Sequence, residues 1–186
     1  MVDIVVIIVF AIIVANLAQA FLIRPFVIPS GSMQNTLEIG DTILVNRLDR
    51  SPERGDIIVF SDPDGWMSEE KKEEYTTSQT VRSYLGLYPK ENESFIVKRV
   101  IGLPGDEVSS DGKGSLFLNG KRLSEPYLPE GESQSDIPFH IVVPENGLWV
   151  MGDNRDISSD SRFHQDKILN GSVPMSEVTG EVFYSF

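Results

Sequence analysis

Phe95-Ile96-Val97-Lys98-Arg99-Val100-Ile101 is a β-branched and aromatic run broken by two adjacent cations, and Gly102-Leu103-Pro104-Gly105-Asp106 closes it. A run of this kind between punctuating residues reads as a strand entering a turn. The same signature recurs on both sides. Thr42-Ile43-Leu44-Val45-Asn46 and Asp56-Ile57-Ile58-Val59-Phe60 precede it, behind Gly40-Asp41 and Gly55. Ser115-Leu116-Phe117-Leu118, Phe139-His140-Ile141-Val142-Val143, Leu148-Trp149-Val150-Met151 and Gly180-Glu181-Val182-Phe183-Tyr184 follow it. Many short strands predict an all-β fold, a mostly antiparallel sheet domain. Asn119-Gly120, between Leu116-Phe117-Leu118 and Lys121-Arg122-Leu123, suits a two-residue type I′ hairpin, whose central residues both need positive φ.

Two stretches stand outside this pattern. Residues 61–94 read as an insertion: Asp62-Pro63-Asp64-Gly65-Trp66 leads into the charged run Glu69-Glu70-Lys71-Lys72-Glu73-Glu74, then Val81, Tyr84, Leu85 and Tyr88 fall at near-helical spacing. At the other end, Ile4 to Ile23 is 20 residues without a charge, long enough for one membrane-spanning helix. Residues 1–23 are read as an anchor and 24–186 as the domain it carries. A cleavable signal peptide is the competing reading, because Ala18-Gln19-Ala20 has the small-x-small form of a cleavage site, although a basic start is missing. The flanking Asp3 and Arg24 leave the orientation open.

Composition narrows the function classes. A net charge of −12 disfavours nucleic acid as a partner. With no cysteine and only His140 and His164, neither disulfides nor a metal site are expected, and no nucleotide or flavin fingerprint suggests a cofactor.

Ile28-Pro29-Ser30-Gly31-Ser32-Met33-Gln34-Asn35-Thr36-Leu37 is the candidate for chemistry, since a glycine-relieved turn can expose a serine hydroxyl beside backbone N–H groups. An ordinary polar turn has the same letters. A free serine needs a base, and His140, His164 and Lys98 are the candidates. Lys98 sits in an apolar strand where burial would favour its neutral form, unless its stem carries the ammonium out to water. Taken alone, Gly152-Asp153-Asn154-Arg155-Asp156-Ile157-Ser158-Ser159-Asp160-Ser161-Arg162 is a polar loop able to satisfy its own hydrogen bonds.

Five stretches in order nevertheless resemble bacterial type I signal peptidases, membrane-bound Ser/Lys proteases that remove signal peptides from exported proteins. They are the Ser32 decamer, Arg54 to Phe60, Lys98 to Asp106, Asn119-Gly120-Lys121, and Gly152 to Arg162, and the likeness runs from about Arg24 to Phe183. An insert opening Asp-Pro-x-Gly-Trp is similar to those of actinobacterial members. The resemblance implies Ser32 as nucleophile, Lys98 as general base, and Ser30 with the Ser32 N–H as oxyanion donors. It also implies Ser158 as the hydroxyl orienting the lysine, Asp160 and Arg162 as a buttressing ion pair, and supporting roles for Asp153 and Arg155. Ile28, Met33, Leu37, Ile96 and Val97 match positions lining shallow pockets for small side chains. Ile157 departs from the asparagine common in the family. Signal-bearing preproteins and membrane lipid are the implied partners, at the bacterial cytoplasmic membrane with the catalytic part outside. Two other readings stay open: a Ser/Lys protease with a self-directed substrate, and a noncatalytic peptide-binding β-domain.

Overall fold

The computed structural model describes residues 2–48, 51–67, 76–77 and 95–186, with side chains of the first helix described over 4–15. Helix α1 (Val2–Phe21) leads into β1 (Ile23–Val27) and, after a turn of 3-10 helix at Gly31–Met33, into β2 (Thr42–Asn46) and β3 (Ile57–Ser61). Next come β4 (Phe95–Gly102), β5 (Glu107–Asp111), β6 (Leu116–Leu118), β7 (Lys121–Arg122), β8 (Pro138–Val142), β9 (Gly147–Met151), β10 (Val173–Pro174) and β11 (Val178–Ser185). Two antiparallel sheets result, one in the order β1-β2-β11-β3-β4-β9-β10 and one in the order β7-β6-β5-β8. The all-β expectation holds for the domain. Among the described residues, no helix is long and apolar enough to cross a membrane.

The apolar run does not continue as one helix to Ile23. Helix α1 stops at Phe21, and Ile23 already pairs with Asn46. Pro25 explains the break, because it disfavours helical backbone at the residue before it and offers no N–H. As the outermost strand of its sheet, β1 is a position where that missing donor is tolerated. The hairpin at Asn119-Gly120 forms as expected, with φ of 51° and 74°. The expected packed helix at Val81 to Tyr88 lies outside the described residues.

Strand alternation divides the core of the large sheet. On one face lie Ile58, Phe60, Ile96, Val100 and Val150, joined by Trp66 from the start of the insertion. On the other lie Phe26, Ile28, Met33, Leu37, Ile43, Val45, Val59 and Val97. A third cluster, with Trp149 fully buried against Phe139, ties β4 and β9 to the small sheet. The candidate site sits where the first two clusters meet.

Candidate active site

Lys98 is in the middle of β4, opposite Ile58 of β3, and only 3% of it is exposed. Its ammonium has few places to go. The Nζ donates to Ser32 Oγ at 2.8 Å and to the Val97 carbonyl at 3.2 Å. Burial pulls its pKa down to about 8, against the opposing pull of the Asp160 and Asp153 carboxylates. The side chain therefore does not reach water, and the snorkelling alternative fails.

Ser32 occupies the 3-10 turn at Gly31–Met33. First-turn N–H groups of such a helix have no partner within it, which leaves donors at the serine. Ser30, extended at φ −140° and ψ 161°, makes no capping bond with its hydroxyl and lines the same cavity as Ser32 and Lys98. The turn-hydroxyl alternative for Ser30 thus lacks its hydrogen bond. Neither histidine reaches the serine: His140 is on β8 of the small sheet beside Glu107, and His164 bonds the Ser159 hydroxyl at 3.0 Å while stacking on Trp66. Burial also lowers the His164 pKa, favouring the neutral ring.

The Gly152 to Arg162 loop wraps the serine from behind. The Ser32 carbonyl accepts the Asn154 N–H at 3.1 Å. Gly152 passes so close that an added Cβ would fall within 3.0 Å of both the Ser32 carbonyl oxygen and Ser158 Oγ. Asp160 and Arg162 form the expected pair, with Arg162 Nε donating to Oδ1 at 2.8 Å and Nη2 to Oδ2 at 2.9 Å, and Asp160 also accepts the Gly152 N–H at 3.0 Å. Ser158 departs from its expected role. Its buried hydroxyl has no hydrogen-bond partner, so the bond to Lys98 is not made here.

Asp153 and Arg155 turn out to be halves of two further pairs that sequence reasoning missed. Arg99 forks onto Asp153, with Nε donating at 2.8 Å, and its Nη1 donates to the Gly55 carbonyl at 2.7 Å. Thr36 also donates to Asp153. Arg155 forks onto Glu125 at 2.9 and 2.6 Å and donates from Nε to the Gly152 carbonyl at 2.8 Å. Tyr127 donates to Glu125 and lies under the Arg99 guanidinium. The usable signal was Arg99 itself: a second cation on the opposite face of an apolar strand requires a buried carboxylate.

A cavity of about 250 Å³ opens at the dyad, lined by Ile28, Met33, Ile96 and Val97 among others. Leu37, expected there, instead packs behind Met33 in the core.

The matching family model, described as signal peptidase, peptidase S26, spans residues 1–186. A probable signal peptidase I of Mycobacterium leprae is 35% identical over 87% of this chain and 67% of its own. Signal peptidase I of Mycobacterium tuberculosis is 34% identical over 93% of this chain and 68% of its own. Among solved structures, a signal peptidase I from Enterococcus faecalis superposes with a TM-score of 0.46 at 28% identity, covering 72% of this chain and 97% of that one. On the family match and the mycobacterial relatives, the chain is a serine endopeptidase and belongs to the signal peptidase family, peptidase S26.

Proposed function

We propose that the chain is a membrane-bound endopeptidase that removes signal peptides from exported preproteins after small-x-small sites, with Ser32 as nucleophile and Lys98 as base. The observation that carries this reading is the 2.8 Å contact between Ser32 Oγ and a buried Lys98 whose pKa lies near 8. A neutral Lys98 takes the Ser32 proton as Oγ bonds to the scissile carbonyl carbon. The Ser32 N–H and the Ser30 hydroxyl receive the oxyanion, and the lysine returns the proton to the leaving amine. The Lys98 amine, neutral again, then takes a proton from the water that attacks the acyl carbon and passes it to Ser32 Oγ as the acyl–oxygen bond breaks. Ser158 enters as the hydroxyl expected to steady the lysine, a role its buried side chain would take only on leaving the unbonded position it holds here.

The substrate is proposed to bind extended. Along Phe95–Lys98 the edge of β4 away from β3 carries no strand among the described residues, since β9 pairs only from Arg99 onward. An added peptide strand fits such an edge. Pockets at Ile28, Met33 and Val97 would admit alanine-sized side chains and exclude bulk. The anchor reading rests on α1, whose Ile4, Val5, Ile7, Ile8 and Phe10 are exposed with no core to cover them. A single pass with the β-domain outside the cytoplasm completes the proposal.

The test uses a model preprotein whose signal ends in Ala-x-Ala, with sequencing of the product N-terminus and kcat/KM measured across pH. Cleavage after the second alanine is expected, with kcat/KM rising to a plateau through a midpoint near pH 8, because only the deprotonated lysine accepts the serine proton. A rate independent of pH between 7 and 9, or a different cleavage site, would count against it. Ser30→Ala is expected to lower kcat by about 10²–10³-fold with a smaller change in KM, as for loss of one oxyanion donor. A loss below about threefold in steady-state assays would return Ser30 to the role of a turn residue.

A further inference from the structure

The cavity at Ser32 draws its walls from both faces of the large sheet. Ile28, Met33 and Val97 belong to the cluster on one face. Ile96, which the resemblance groups with the small pockets, instead belongs with Trp66 to the other, and Met67 packs against that cluster. The second wall is built to hold its shape. Asp62 accepts the Trp66 and Met67 N–H groups at 2.7 and 3.1 Å, fixing the turn that opens the insertion. The Trp66 ring meets Phe60 edge-on at 5.8 Å and stacks on His164 at 4.5 Å. Across the opening, Ile157 is 62% exposed, an apolar side chain lining the same cavity.

A peptide extended along the open edge of β4 sends alternate side chains to opposite faces. When the residues just before the scissile bond and two positions earlier fill the small pockets at Ile28, Met33 and Val97, the residue between them points to the other wall. We propose that Trp66, Met67, Ile96 and Ile157 form a second specificity subsite, on the opposite face from the small pockets, that takes a large apolar side chain at the middle position of the small-x-small site. The inference rests on the peptidase reading above and adds a preference to it. One side of the cleft selects by excluding bulk; the other selects by covering it. Filling or emptying such an apolar subsite is worth about 10–200-fold in discrimination.

The test measures kcat/KM for the full chain on two peptide series. One carries Ala, Leu, Phe or Asp between two alanines before the scissile bond, and the other carries the same residues just after it. Wild type is expected to favour Leu and Phe over Ala at the middle position by about tenfold. Met67→Ser and Ile157→Asn are expected to bring that ratio to about twofold or less. The ratio is read within one enzyme, so partial loss of folded protein does not move it, and Ile157 is exposed enough for substitution without disturbing the core. A flat middle-position profile on peptides that are cleaved, a preference that survives both variants, or a preference found only after the scissile bond overturns the subsite alone. Failure to cleave any peptide overturns the peptidase reading and the subsite with it.

Discussion

Lys98→Met is expected to lower peptide cleavage by about 10⁴-fold or more while making the folded protein more stable at neutral pH. The two effects have one origin. Holding the ammonium in β4 moves its pKa from the usual 10.5 to about 8, a penalty of about 3 kcal/mol on the charged form. Methionine keeps the unbranched stem beside Ile58 and Ile96 without that charge. The sign follows from proton counts. Between about pH 8 and 10.5 the unfolded chain holds a proton on Lys98 that the folded chain has shed, so wild-type stability rises with pH through this window. Below it the full penalty applies, and above it none does. The methionine variant should therefore exceed wild type by roughly 2–3 kcal/mol at pH 7, with the difference closing towards pH 10.5. Ser32→Ala should lose comparable activity yet keep the wild-type rise of stability with pH. Denaturant unfolding of all three proteins at pH 7 and 10 checks this. A methionine variant less stable than wild type at pH 7 would mean that the contacts to Ser32 and Val97 outweigh the cost of the buried charge.

Gly152→Ala is expected to lower kcat by at least about 10²-fold, because the added methyl must displace the chain that presents the nucleophile. Its neighbours there are the Ser32 carbonyl oxygen and the Ser158 hydroxyl. A side chain can turn aside; the carbonyl belongs to the serine's own peptide unit. That oxygen is held by the Asn154 N–H, and Gly152 is held at its N–H by Asp160 and at its carbonyl by Arg155. The strain therefore has no soft outlet. Adding Ser158→Gly to Gly152→Ala, with activity measured against Ser158→Gly alone, separates the two contacts. Activity is expected to stay low, since the backbone clash persists, and stability to fall by about 1–3 kcal/mol, as in overpacked cores. Recovery in the double variant would place the constraint in Ser158 instead.

The strands that the sequence revealed are those that bury one or both faces, such as Phe95–Gly102 and Gly147–Met151, where burial writes itself as apolar runs. Glu107–Asp111 was missed because Glu-Val-Ser-Ser-Asp buries only Val108 and Ser110, a pattern too polar to stand out from a loop. Ile23–Val27 was hidden by the apolar helix that runs into it. In the site, period-two alternation already placed Lys98 and Arg99 on opposite faces, but their partners lie 66 and 54 residues away along the chain. No local pattern links Arg155 to Glu125 either, 30 residues apart. The meeting of Ser32 with Lys98 was readable only through the family resemblance, and the unpartnered Ser158 hydroxyl not at all.

β1 also fixes a distance. Its five residues run from the end of α1 towards Ser30, each in register with β2 from Ile23↔Asn46 to Val27↔Thr42. At about 3.3 Å per residue the strand is a ruler roughly 17 Å long. A flexible tether could be lengthened residue by residue at little cost, whereas adding one residue here would turn Phe26 out of the core and swing Pro25 inward. The offset between helix and nucleophile is thus quantised by sheet pairing, and it can change only in steps that re-register β1 against β2.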